Sequence, residues 1–171
     1  MRTLFEMVTP DFDPTAPAFV RPSARGILIR EGKVALVYSR KYDYYKFPGG
    51  GIEAGEDPVT ALIREVREKS GLVVRLDTIR EYGLVHRAQK SWVRAGEMFI
   101  QDNYYYICQA EETPEAQDLD DYEAEEGFTF LWALPQTAIT VNRTHPHGPK
   151  DQRMLERETR VLELLTGEGF L

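Results

Sequence analysis

The stretch Gly49–Leu72, GGGIEAGEDPVTALIREVREKSGL, carries the most completely punctuated helix in the chain. Asp57 offers an N-cap oxygen, and Pro58 suits the first helical position, where no amide donor is needed. Val59, Leu62, Ile63 and Val66 recur at helical spacing and make one apolar face. Gly71 ends the run, because glycine enters the left-handed C′ conformation without strain. A one-sided helix of this kind must be covered by another layer, which already restricts the chain to a layered fold.

The flanking segments predict what that layer is. Gly26 to Arg30 and Val34 to Tyr38 are β-rich runs around Glu31-Gly32-Lys33 and read as a hairpin. Tyr44 to Phe47 reads as a short strand, and further strands are expected at Leu72 to Leu76, Ile79 to His86, Met98 to Cys108 and Phe128 to Ala133. Within the last but one, Tyr104, Tyr105 and Tyr106 alternate across the strand, so at least one belongs in the core. Glu111 to Gly127 is an acidic, turn-rich connection. A short helix is expected at Pro135 to Val141 and a C-terminal helix at 151–165, with Met154, Leu155, Val161, Leu162 and Leu165 able to pack. Prolines at 10, 14, 17 and 22 make residues 1–22 an extended lead-in. Strands, helix, strands, helix is the order of an α+β domain, here one domain over 1–171.

A net charge of −7 argues against a nucleic-acid partner, since phosphate neutralisation needs clustered lysine and arginine. No apolar run reaches membrane length. Cys108 is the only cysteine, so neither an internal disulfide nor a CxxC metal site is available. The chain reads as cytoplasmic. The glycines at 49–51 match neither the dinucleotide fingerprint nor the P-loop.

Acids remain as the chemistry. Residues three apart on a helix lie ~60° apart in azimuth, so Glu65 and Glu68 share a face away from the apolar stripe. Two carboxylates there, with Glu56 just before the helix, suit a hard cation such as Mg²⁺, which keeps waters and takes substrate phosphate oxygens. The plainer reading is a solvated face with Arg64/Glu68 and Glu65/Lys69 ion pairs.

The wider spacing goes further. From Gly50 the sequence follows G-x5-E-x7-R-E-U-x-E-E-x-G-U, U being a bulky aliphatic residue, at Gly50, Glu56, Arg64, Glu65, Val66, Glu68, Gly71 and Leu72. Phe47-Pro48-Gly49-Gly50 precedes it. The pattern resembles the Nudix box. That resemblance implies a Nudix fold: an α/β/α sandwich with a mixed sheet, the box forming a loop–helix–loop. It also implies hydrolysis of a nucleoside diphosphate derivative by water attack on phosphorus, with Mg²⁺ or Mn²⁺. The metal ligands would be Glu65, Glu68 and Gly49, while Arg64 and Glu56 brace the loop. Arg40 and Lys46, with Gly49 and Gly50, are the expected substrate contacts. Glu125 or Glu126, before the last strand, is the expected extra carboxylate or general base. The partner is then a small nucleotide; a homodimer stays open. The absence of proline between Pro58 and Pro114 weakens an ADP-ribose assignment within the family.

One position departs from the pattern: Lys69 stands where a second glutamate is expected. An ammonium has no lone pair and cannot ligate a cation. Three consequences are open: a weaker metal site on the remaining carboxylates, a lysine that binds substrate phosphate, or a nucleotide-binding module with little or no turnover. If Lys69 is merely a weakened ligand position, Lys69→Glu should strengthen metal binding.

Overall fold

The computed structural model describes residues 1–171. Helix α1 spans Pro58–Ser70, bounded as its punctuation requires. Asp57 Oδ1 accepts from the amides of Val59 and Thr60 at 3.0 and 3.1 Å. Gly71 closes the helix at φ 75°, donating to the Arg67 carbonyl at 2.7 Å. A Cβ there would lie 2.1 Å from the Glu115 carbonyl oxygen, so both the backbone angle and the close approach demand glycine. The apolar face of α1, with Ala61, Leu62 and Val66 fully buried, packs on Ala24, Leu28, Ala35, Tyr106 and Cys108.

That surface belongs to two sheets. The strands in chain order are β1 Thr3–Val8, β2 Ala18–Val20, β3 Ser23–Ile27, β4 Ile29–Arg30, β5 Lys33–Ser39, β6 Tyr44–Lys46, β7 Gly49–Gly51, β8 Arg80–Lys90, β9 Met98–Ile107 and β10 Phe128–Ala133. The larger sheet runs β1-β8-β9-β3-β7, with β2 also on β9. Here β3 is parallel to β9 and antiparallel to β7, which makes the sheet mixed. The smaller sheet runs β10-β5-β4, with β6 also on β5. The β4–β5 hairpin turns through Glu31 and Gly32 at φ 51° and 70°, the two left-handed residues of a tight hairpin turn. Three more helices follow: α2 Asp121–Glu125, α3 Pro135–Thr144 and α4 Gln152–Gly167. Ala138 of α3 and Val161, Leu162 and Leu165 of α4 pack with Ile27, Leu36, Phe47, Val85 and Tyr105 on the sheet face opposite α1. The architecture is α+β, as the element order implied, and a sandwich with a mixed sheet, as the box resemblance implied. No helix is long and apolar enough to cross a membrane.

Three local readings need correction. Residues 1–22 are more than a lead-in: β1 lies parallel to β8 and β2 parallel to β9, so partners some eighty residues away make strands of them. Leu72 to Leu76 is not a strand. It has a single bridge, Val74 to Ala110, and passes into a 3₁₀ turn at Leu76–Thr78. The acidic connection contains α2, too short to be stable without tertiary support. Cys108 is buried, and burial pushes its thiol up to about 12.

Because Gly71 is fixed by both angle and contact, Gly71→Ala should destabilise the protein by about 1–3 kcal/mol, read as a lower urea midpoint. An unchanged midpoint would show that the α1 C-terminus relaxes freely.

Candidate active site

The turn from β7 into α1 builds the site around one guanidinium. Arg64 Nε and Nη2 donate to the two oxygens of Glu56 at 2.9 and 2.8 Å. Nη2 also donates to the Gly51 carbonyl at 3.0 Å. Nη1 donates to Glu65 at 2.8 Å and to Glu68 at 3.3 Å. The glycine loop, Glu56 of the turn and two helix carboxylates are thereby fixed to one side chain. The Arg64 guanidinium holds the Glu56 carboxyl below the usual glutamate range.

Glu65 is buried, at 6% exposure, so its helix face is not simply solvated. Its carboxylate lies against Gly50, where a Cβ would approach Oε2 to 2.2 Å. Any other residue at position 50 would displace it. Glu65 Oε2 has no hydrogen-bond partner. Burial raises the pKa of Glu65, with Arg64 and then Lys69 pulling against the rise.

A cavity of about 480 Å³ opens beside these groups. Its acids are Glu53, Glu65, Glu68, Asp118 and Asp120. No three histidine, cysteine, aspartate or glutamate side chains are gathered closely enough to cage a metal ion. Mg²⁺ requires no such cage, since one or two carboxylates plus waters and phosphate oxygens complete its shell. The five carboxylates of the lining, the partnerless Glu65 oxygen and the Gly50 cradle fit a hard divalent cation.

Lys69 does not point into solvent and does not pair chiefly with Glu65. Its Nζ lies 2.8 Å from Glu123 Oε2, 3.0 Å from Asp120 Oδ2 and 3.9 Å from Glu68 Oε2. Glu123 is fully buried in α2, and its other oxygen meets Lys46 Nζ at 3.3 Å. Burial would lower the pKa of Lys69, but the hydrogen bonds to Glu123 and Asp120 outweigh it and hold the ammonium charged. Lys69 thus fastens the acidic segment to α1.

The other expected residues divide. Glu125 is exposed and outside the cavity. Glu126 is buried and turned away, bonded to Lys150, to Tyr44 Oη at 3.1 Å and to Ser39 Oγ at 3.3 Å. The loop carboxylates that do reach the cavity are Asp118 and Asp120. Arg40 is exposed beside Gly127 and does not line the cavity. Gly49 pairs with Arg25, and a Cβ on it would lie 2.2 Å from the Ala24 carbonyl oxygen. Lys46 lines a second cavity of about 730 Å³, whose floor holds Arg25, Arg87 and Arg157 and whose wall holds Trp92 and Phe99. Arg21 lines both cavities. Sequence reasoning missed these arginines, because only the pairing of β2, β3, β8 and β9 with α4 brings them together.

These features define an α/β/α protein with a carboxylate-rich site on a glycine loop and acidic helix. The chain belongs to the Nudix family: the NUDIX domain model matches residues 20–157. Nudix hydrolase 25 of Arabidopsis thaliana is 26% identical over 136 residues, 72% of this chain and 77% of that one. An RNA pyrophosphohydrolase of Xanthomonas campestris pv. campestris is 40% identical over 58 residues, 33% of this chain and 28% of that one. A NUDIX hydrolase from Nitrosomonas europaea superposes with a TM-score of 0.54 at 18% identity, covering 81% of this chain and 87% of that one. A MutT NUDIX hydrolase from Burkholderia pseudomallei does so at 0.51 and 15%, covering 82% and 98%. These likenesses support the sandwich fold.

The pairing of Lys69 reverses the outcome expected of its replacement. Lys69→Glu would press a carboxylate against Glu123 and Asp120, and should cost about 3–5 kcal/mol in urea unfolding without strengthening metal binding. A variant as stable as the native chain, with tighter Mg²⁺ binding, would contradict the anchoring role.

Proposed function

We propose that this chain is a metal-dependent hydrolase that cleaves the diphosphate linkage of a nucleoside diphosphate derivative. The observation that carries this reading is the Glu65 carboxylate, buried against Gly50 with one oxygen unpartnered beside an acidic cavity. Glu65 and Glu68, with the Gly49 carbonyl, would hold Mg²⁺ or Mn²⁺. A divalent cation bound there neutralises phosphate charge and makes water more acidic. The protein contributes position and a fixed field, which is most of what phosphoryl transfer needs. Arg64 and Glu56 hold the loop to the helix, so Glu65 and Glu68 keep their orientation as charge develops. Glu53 and Asp118 line the cavity free of any ion pair, which makes them candidates to accept the proton of the attacking water. Arg21, exposed and also without an acidic partner, lines the cavity beside Gly51 and would meet a substrate phosphate there.

A second reading, a nucleotide-binding module without turnover, is favoured by Lys69, whose ammonium lines the cavity where the family pattern expects an anion.

The two readings separate on a panel of ADP-ribose, sugar nucleotides, dinucleoside polyphosphates and oxidised nucleoside triphosphates, assayed for phosphate or nucleotide release with and without Mg²⁺. RNA with a pyrophosphate-bearing end belongs in the panel, because RNA pyrophosphohydrolases are among the relatives. The expected result is metal-dependent cleavage of at least one compound, reduced about 100-fold or more in Glu68→Gln, as for loss of one charge-stabilising group. Binding without cleavage under every metal would establish the module instead.

A further inference from the structure

The second cavity is built for a different charge than the first. Its floor is made of buried cations: Arg25 is 8% exposed, Arg87 2% and Arg157 1%. Their counterions are shared or incomplete. Glu158 Oε1 serves Arg157 at 2.5 Å and Arg25 at 3.5 Å. Arg87 has Asp151 at 2.6 Å. Neither Arg25 Nε nor Arg87 Nε has a hydrogen-bond acceptor. Burial, and next the like charge of Arg157, push the Arg87 pKa down. Lys46 and Lys150 are matched by Glu123 and Glu126, and Arg21 by no acid. Six cations therefore line a cavity backed by four carboxylates, leaving two positive charges in excess. Clustered buried arginines with unfilled donors are stabilised by an anion that accepts several hydrogen bonds, as phosphate does.

The wall has another chemistry. Trp92 is 60% exposed, with its ring centroid 4.7 Å from that of Phe99. Phe19 extends this surface at 6.0 Å from Phe99 and carries the Arg94 guanidinium 4.2 Å over its ring. A large indole face left open beside a cationic floor suits a flat ring joined to phosphate, because bases stack on aromatic side chains whatever their sequence.

We propose that this cavity receives the uncleaved part of the substrate, a nucleobase on Trp92 and a phosphate beyond the scissile pair on the Arg25–Arg87 floor, so that the preferred substrates are nucleoside polyphosphates rather than diphosphate-linked sugars. The inference rests on the hydrolase reading for the scissile diphosphate, which Arg21 would hold at the junction of the two cavities. With Arg21 given to the scissile pair, Arg25, Arg87 and Arg157 face only Glu158 and Asp151, and the one positive charge left over matches one further internal phosphate, for which a neutral sugar offers no substitute.

The test uses tryptophan emission, since the chain has two tryptophans and Trp132 lies at a separate cavity. In Trp132→Phe, Trp92 is the sole reporter. A methylene analogue of ATP with Mg²⁺ should quench it saturably. Inorganic tripolyphosphate should displace the analogue and restore the emission. ADP-ribose should bind at least ten-fold more weakly than the analogue. Measured by calorimetry, Trp92→Ala, which truncates an exposed side chain, should bind the analogue roughly ten-fold more weakly, the loss expected for one base–aromatic stack, and leave tripolyphosphate affinity unchanged. If Trp132→Phe does not fold, calorimetry on the native chain and Trp92→Ala measures the same affinities. Equal affinity for ADP-ribose and the analogue, or analogue binding indifferent to Trp92, would overturn the proposal. These outcomes leave the hydrolase reading intact, because that reading falls only if the nucleotide panel shows no metal-dependent cleavage.

Discussion

Glu123 is wholly removed from water, and two ammonium groups make that burial tolerable: Lys69 at 2.8 Å and Lys46 at 3.3 Å. A carboxylate so placed is strongly destabilising if its partners are removed. Lys69 comes from α1 and Lys46 from the end of β6, so the ion triad joins the box helix, the sheet and α2 at one point. It also sets the wall between the two cavities, since Lys69 lines one and Lys46 the other. α2 has only five residues and could not persist by its own backbone hydrogen bonds. The lysine that departs from the family pattern is thus the counterion for an acidic segment that would otherwise be repelled from Glu65 and Glu68.

A second network, centred on Arg64, fixes the loop side of the same site. It bonds Glu56, Gly51, Glu65 and Glu68 at 2.8–3.3 Å and leaves Glu65 Oε2 without a partner against Gly50. Arg64 holds the carboxylates in register, while Lys69 holds the opposite wall in place. The resulting acidic cavity adjoins a cationic one, with Arg21 between them. A substrate that carries phosphates and an aromatic ring can satisfy both at once.

Much of this is legible in the sequence where it depends on local chemistry. Asp57, Pro58, the apolar stripe and Gly71 define α1, and Phe128–Ala133 is a strand with the expected bounds. The box spacing also identifies Arg64, Glu65 and Glu68 as neighbours. What is not legible depends on distant partners. β1 ends just before Pro10 and β2 lies between Pro17 and Pro22, and they become strands only by pairing with β8 and β9. Leu72–Leu76 has strand-like residues but meets one bridging partner, so it turns instead. Glu125 and Glu126 occupy the right loop, yet α2 winding and the Lys150 contact direct them elsewhere, and Asp118 and Asp120 face the cavity. The role of Lys69 is hidden because its partners lie more than fifty residues downstream.

The whole assignment turns on whether the buried Glu65 carboxylate binds a divalent cation beside Lys69. A Mn²⁺ titration followed by electron paramagnetic resonance measures this without any substrate. Saturable binding in the native chain, at least roughly ten-fold weaker in a folded Glu65→Gln variant, is the expected result. Equal Mn²⁺ binding by the two proteins would contradict it.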